Sequence, residues 1–218
     1  MPFVMVPGTK VLFCIWDVRV QDYGHYSNPR IDWNRMQPFM NDKDMIHPVA
    51  YVSWHDAKAF CAWLSQKERA EGRLGAGLEY RLPTDAEWSY AVGIGDQEGD
   101  GTPSDKNGKL QDVYPWGNHW PPPKDVVNYD QSLHVDTYPG TSPVGSFKPN
   151  QFGLYDMGGN VWQWCEDWFD AKQQYRVLRG GSWGGYYSRD LLASFRNSSL
   201  PNAKRSNCGF RVVVAPTR

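Results

Sequence analysis

The stretch over residues 93–147 limits the architectures open to this chain more than any other feature. It strings together turn formers, GDGTPSDKNGK, then YPWGNHWPPPK, then TYPGTSPVGS, with neither helical nor strand periodicity. Irregular runs of this length are uncommon in compact domains and are functional, disordered or held by something else. The rings Tyr114, Trp116, Trp120, Tyr129 and Tyr138 argue against disorder. With no disulfide spacing to tie the loop, a bound metal is the expected anchor. The composition agrees with a core of large rings under irregular backbone. The 218 residues include 11 Trp, 12 Tyr, 21 Gly and 16 Pro, yet the mean hydropathy is −0.64. That is not the make-up of a long helical bundle.

The chain has 23 basic and 24 acidic side chains, a net charge of −1, so nucleic-acid or lipid binding would need a local basic patch, and none is visible. Nothing approaches the run of about 18 apolar residues that spans a bilayer. The opening MPFVMVPGTK lacks the basic-then-apolar pattern of a signal peptide. The expectation is a cytoplasmic chain, or one cut from a longer protein, that neither binds nucleic acid nor inserts into a membrane. Cys14, Cys61, Cys165 and Cys208 are scattered, without C-x-x-C or a Cys/His pair at zinc spacing, so no structural zinc is expected. Oxidised, they could pair in three ways. Their apolar and aromatic neighbours favour buried free thiols.

Two helices carry start and stop signals. Ser53 can cap the first, Asp56 favours its first turn, Ala57, Phe60, Cys61 and Leu64 share a face, and Gly72 ends the pattern. Thr84 with Glu87 three residues on forms a capping box for the second, which turns Trp88, Ala91 and Val92 inward before Gly93 closes it. Strands are expected over residues 161–168 (VWQWCEDW), 175–178 and 209–214 (GFRVVV). No internal repeat is visible. The chain reads as a single α+β domain over residues 1–218, with two helices, short antiparallel strands and much loop.

Several motifs weigh against enzymatic chemistry. Gly180-Gly181-Ser182-Trp183-Gly184 matches G-x-S-x-G, but the last histidine, His134, precedes Ser182, so the hydrolase order of Ser, acid and His cannot be built. His25, His47, His55, His119 and His134 include no H-E-x-x-H and no i, i+4 pair. Glu166 and Asp167 are adjacent on a strand and point to opposite faces, which favours structural roles over paired acid–base work. Residues 184–207, GGYYSRDLLASFRNSSLPNAKRSN, mix Gly, Ser and Asn with Tyr and Arg. Such a mixture suits a binding surface, because Tyr gives contact area at low entropic cost while the small polar residues adapt.

PVAYVSWHDAKAFCAWLS, YRLPTDAEWSYAV, YPWGN, SPVGSFKPNQFGLYDMGGNVWQWCEDW, YRVLRGGSW and CGFRVV, in that order, resemble the formylglycine-generating enzyme, or sulfatase-modifying factor, family. The resemblance covers most of the chain from Pro48 onward. It implies a C-type-lectin-like α+β fold of the formylglycine-generating subtype, with structural calcium in the loop region. Carried over residue by residue, one calcium site would use the Asn128 side chain, the Tyr129 carbonyl, Asp136 and the Tyr138 carbonyl. The second would use Asp156, the Gly159 and Val161 carbonyls and Gln163, which stands where the enzymes have Glu. Oxygen-only ligands suit calcium rather than a transition metal.

The oxidase of this family works through two cysteines shortly after the GGS motif that bind copper(I), a soft ion that requires thiolates. Residues 181–190 contain no Cys, so no copper chemistry is expected, and no zinc or nucleotide either. The histidine-bearing helical bundle of the related iron-dependent sulfoxide synthases is absent from this sequence. The chain is most similar to the variable proteins diversified by retroelements. In those, a C-terminal segment starting near GGSW is mutated at adenines of asparagine-type codons and displays a ligand-binding surface. The resemblance therefore implies a non-catalytic, monomeric ligand-binding protein, its ligand preferably another protein. The contact residues would be Gly184, Gly185, Tyr186, Tyr187, Asp190, Phe195, Asn197, Ser198, Ser199, Asn202, Arg205, Ser206 and Asn207, with Trp162, Trp164, Trp168 and Trp183 beneath them. An oxidoreductase with a non-standard site is the alternative, and a structural or partner-docking domain the third.

Overall fold

The computed structural model describes residues 1–26 and 45–217. Both expected helices form where their caps place them. The longer, α2 (Trp54–Ala70), starts at Ser53, whose side chain accepts the Asp56 N–H while the Asp56 carboxylate accepts the Ser53 N–H. It buries Ala57, Phe60, Cys61 and Leu64, and beyond it Gly72 adopts φ +72°. The shorter, α3 (Asp85–Val92), has the same reciprocal cap from Thr84 and Glu87, buries Trp88, Ala91 and Val92, and ends at Gly93 in the left-handed region. Two further short helices were not anticipated, α1 (Val20–Gly24) and α4 (Pro103–Lys106). The second has its own capping box, Thr102 with Asp105, and Pro at its first turn. Within the turn-former run, that signal reads as another loop.

Among the described residues, eight short strands make two four-stranded sheets. In the first, β1 (Phe3–Met5), β2 (Leu12–Cys14), β8 (Val213–Pro216) and β3 (Leu78–Arg81) lie in that order, all antiparallel, with β8 pairing Leu12↔Val214 on one side and Tyr80↔Val214 on the other. In the second, the order is β6 (Asn197–Ser199), β5 (Arg176–Arg179), β4 (Trp162–Trp168) and β7 (Cys208–Gly209). Here β4 and β7 run parallel, a departure from the antiparallel strands expected. The GFRVVV run also proves to be two elements. Its Gly209 ends β7 against the Val49 carbonyl, where a Cβ would sit 2.4 Å from that oxygen. The chain then crosses to the first sheet and resumes as β8. Phe210 and Val212 face one core, while Val213 and Ala215 face the other. A continuous apolar run cannot distinguish such a crossover from one buried strand.

The same division sets the role of β4. Trp162 and Trp164 pack into the core under α2, whereas Cys165 packs into the core under α3 with Trp88, Val177 and Val213. Both faces of the strand are therefore buried, including its polar Gln163. Glu166 and Asp167 behave as opposite-face structural residues: Lys58 Nζ lies 2.7 Å from Glu166, and Asp167 accepts the Asp85 N–H at 2.6 Å. All four cysteines are free and buried.

Residues 93–147 are held by main-chain bonds to the C-terminal third. The N–H of Gly108 reaches the Ser194 carbonyl at 2.9 Å, Ala193 donates to Val113 at 2.7 Å, and Asn160 donates to Asn128 at 2.9 Å. The rings add a third cluster: Tyr114 stacks on Trp116 at 4.7 Å, and Trp116 meets the buried Tyr129 edge-on. Among the described residues, no helix is long and apolar enough to cross a membrane.

Candidate ligand-binding surface

The C-terminal segment is rooted in a buried ionic network. Asp85, in the first turn of α3, contacts the guanidiniums of Arg179 and Arg196, the latter at 3.0 Å, and Arg196 also pairs with Glu98. Burial alone would raise the Asp85 carboxyl, but the two arginines bring it down to about 2. Arg196 therefore belongs to the scaffold although it lies within the 184–207 segment.

The segment divides into two outward stretches around an inward one. Tyr186 and Tyr187 are 46% and 59% exposed, with ring centroids 4.0 Å apart. Asp190 is half-buried beside them, and burial holds its carboxyl above the usual range. Gly184 has open space where a side chain would go. Gly185 does not: its Cβ would lie 2.7 Å from a Leu191 methyl and 3.2 Å from the Ser182 carbonyl. It acts as a close-approach glycine, which leaves only its backbone to the expected contact set.

Residues 191–196 turn inward. Leu191, Leu192, Ala193, Ser194 and Arg196 are buried, and Phe195 packs against Trp162 at 6.1 Å and joins two cores. Phe195 is half-buried, and this packing accounts for a ring that would be hard to reconcile with solvent.

The second outward stretch begins at edge strand β6. Ser199 is buried opposite Arg176 and leaves the contact set, while Asn197 and Ser198 are half-buried. Asn202 and Arg205 are exposed, and Ser206 and Asn207 half-buried. Asn207 donates from its side chain to Ser182 Oγ at 3.2 Å, and Lys204 pairs with Asp56 at 2.8 Å, which fixes this loop to the GGS turn and to α2.

The two outward stretches meet at Trp183. That ring and Ser206 line a cleft of about 220 Å³ with Pro48, Ala50, Pro139, Gly140 and Thr141. Nothing local in the sequence marks these last five residues, since they come from two segments distant from Trp183 and from each other. Trp162 floors a smaller recess with Asn197, Ser198, Arg205 and Asn207. Trp164 lies deeper, donating to the Val52 carbonyl, and Trp168 stacks on Arg176 away from this surface.

The two expected calcium ligand sets differ in fit. In the first, the Asn128 Oδ1 is buried with no hydrogen-bond partner, while its amide group donates to Gly140. Asp136 accepts the N–H groups of Tyr129 and Tyr138, at 3.0 and 2.7 Å, which draws the four expected ligand residues into one turn. An orphaned amide oxygen beside a carboxylate and two carbonyl-bearing residues fits a hard cation.

The second set does not fit. Gln163 Oε1 accepts from Trp88 Nε1 at 2.9 Å and from Arg211 Nε at 3.2 Å, and Gln163 Nε2 donates to the Asp156 carbonyl. A cation on that oxygen would displace two donors and face a buried guanidinium. Asp156 itself accepts the Gly145 N–H at 2.9 Å, and the Gly159 and Val161 carbonyls remain as backbone without a side-chain ligand to complete them. Among the described residues, no three His, Cys, Asp or Glu side chains cluster as a metal site.

Ser182 is buried within the turn made by Gly180 and Gly181, which have φ of +93° and +78°, and no histidine is bonded to it. Burial raises all four thiols above their ordinary range, to about 11 for Cys14 and about 12 for Cys208.

Two layered sheets with flanking helices and a loop-built surface define the C-type-lectin-like class in its formylglycine-generating form. The chain belongs to the family described as the sulfatase-modifying factor enzyme 1-like domain, which matches residues 16–216. It is 35% identical over 183 residues to the inactive C-alpha-formylglycine-generating enzyme 2 of Bos taurus, covering 78% of this chain and 51% of that protein. It is 32% identical over 198 residues to the formylglycine-generating enzyme of Thermomonospora curvata, covering 78% and 56%. The chain thus spans about half the length of the curated relatives it matches. In fold it is similar to Treponema denticola variable protein 1, with a TM-score of 0.68 over 99% of this chain and 92% of that one, at 23% identity.

Proposed function

We propose that this is a non-catalytic ligand-binding domain whose contact face combines Gly184, Tyr186, Tyr187 and Asp190 with Asn202, Arg205 and Ser206 around the Trp183 cleft. The observation that carries this reading is the Tyr186–Tyr187 pair, two large rings left in solvent on a loop that turns inward only at Leu191. Exposed tyrosines above a fixed base supply rigid, amphipathic contact area. The buried thiols, and the lack of Cys in residues 181–190, favour recognition over thiolate chemistry. The likeness in fold to Treponema denticola variable protein 1 supports the further step that the outward positions are diversified. A calcium ion on Asn128, Tyr129, Asp136 and Tyr138 would brace the loop that lies behind this face.

The test is a display library in which codons 184, 186, 187, 190, 202, 205 and 206 are randomised and selected against lysozyme as a probe. Binders that keep the parental melting temperature are expected, and a library whose members unfold would overturn the assignment of these positions to a surface. Diversification has its own test in the flanking DNA. It requires a near copy of the last coding segment that differs only at adenines, beside a reverse transcriptase gene.

A further inference from the structure

The cleft at Trp183 is small for a ligand pocket. At about 220 Å³ it falls below the range of sites that enclose a whole small molecule, and it suits one side chain of a larger ligand. Pro48 and Ala50 are buried, Trp183 is half-buried and Pro139 is exposed, so a buried base lies under an open rim. The walls are pinned. Trp183 N–H donates to the Asn160 carbonyl at 2.9 Å, and the Gly140 carbonyl accepts the Asn128 amide at 2.9 Å. Tyr51 N–H, next to Ala50, donates to the Arg205 carbonyl at 2.9 Å, and the Thr141 hydroxyl lies 2.9 Å from His47 Nδ1. These wall groups are occupied within the protein, which leaves a preformed cavity suited to an apolar group.

One charge beside the cleft is left over. Lys204 is paired with Asp56 at 2.8 Å, and Asp190 has Arg189 as its counter-charge. Arg205 is exposed, is held next to Ala50 through its own carbonyl, and has no ion-pair partner among the described residues. It also lines the neighbouring recess floored by Trp162, so its guanidinium stands between the two depressions of the face.

We infer that the cleft receives one aromatic or aliphatic side chain from an acidic segment of a protein ligand, with a carboxylate beside that side chain paired to Arg205. This rests on the assignment of the face to ligand binding and names the chemistry of the partner. A side chain buried in a preformed pocket supplies affinity, while a rim charge supplies orientation and rate. The guanidinium fork matches a carboxylate and repels a basic flank, which commits the segment to acid.

The experiment is fluorescence anisotropy on the whole chain with three labelled, end-blocked peptides, GDEFEDG, GKRFRKG and GDEAEDG. The first should bind most tightly, and its alanine form should lose about tenfold or more, the effect of burying one ring. Its lead over the basic peptide should shrink between about 0.01 M and about 1 M salt, as the screening length falls from about 30 to about 3 Å. Arg205→Glu, on an exposed residue, should reverse the order of the acidic and basic peptides. With benzoylphenylalanine in place of the phenylalanine, photolysis should attach the peptide to residues 139–141, 183 or 206. Equal affinity for acidic and basic peptides, an unchanged order in Arg205→Glu, no binding at millimolar concentration, or attachment elsewhere would overturn the inference. The display library answers separately: its unfolding withdraws the face itself, whereas its success beside any of these failures withdraws only the acidic partner.

Discussion

Arg196 Nη2 lies 3.0 Å from Asp85 Oδ2, so a residue inside the stretch expected to vary is bonded to the first turn of α3. Its Nε donates to Asp85 as well, and its Nη1 serves Glu98 and the Ser194 and Lys106 carbonyls. Removing the guanidinium leaves Asp85 and Glu98 buried with less compensation, a defect worth about 3–5 kcal/mol. Arg196→Ala should therefore lower the urea midpoint sharply, and Arg196→Met, which fills the space without the charge, should not rescue it. A small change in either would mean that the network does not root the surface.

The exposed tyrosines and the neighbouring phenylalanine should separate cleanly. Tyr186→Ala with Tyr187→Ala removes rings that face solvent and should change stability by no more than about 0.5 kcal/mol. Phe195→Ala opens space beside Trp162 and between two cores and should cost about 2–4 kcal/mol. Thermal or urea unfolding of the two variants decides the matter. Similar losses in both would return Phe195 to the contact face or withdraw the tyrosines from it.

These residues also mark how far the sequence could be read. The caps of α2 and α3 were legible because Ser53, Asp56, Thr84 and Glu87 act within one turn of chain. Tyr186, Tyr187 and Asn202 are exposed, in keeping with the local polarity of their segment. The packing of Phe195, Ser199 and Gly185 was not legible, because it depends on Trp162, Arg176 and Leu191, contacts that only the folded chain creates. The break in GFRVVV was hidden for a related reason, both of its halves being buried. Gln163 read as a ligand by position, while its donors Trp88 and Arg211 come from elements far away in sequence.

Opposed carboxyl shifts set the pH of greatest stability. Asp85 sits at about 2 in the fold, because the arginines outweigh its burial, against about 3.9 unfolded. Its contribution is present above about pH 4 and is lost as the pH falls toward 2, roughly 2–3 kcal/mol in all. Asp17 is raised by burial to about 8, so it has the opposite sign: its contribution is full below about pH 4 and is lost as the pH rises through 8. Melting temperature should peak at about pH 4–5 and decline toward neutrality. Asp17→Asn should flatten the upper limb and leave the acid limb in place. A plateau through pH 7–8 in the parent protein would contradict a buried, undercompensated Asp17.

Calcium should act through one site. A ligand bound only by the native state adds RT ln(1 + [L]/Kd), about 2.7 kcal/mol at a hundredfold excess over Kd. For a chain of this size that is a rise of roughly 5–10 °C in melting temperature over protein stripped with EGTA. The buried Asn128 Oδ1 and the Asp136 carboxylate anchor the fitting set, so Asp136→Ala should abolish the gain. Gln163→Glu would add charge to the unfitting set, but the new carboxylate would pair with Arg211 3.2 Å away before any metal. It should therefore add no second calcium equivalent by calorimetry. A melting curve that ignores calcium would remove the metal from this scaffold, and two equivalents in Gln163→Glu would show that Arg211 yields the site.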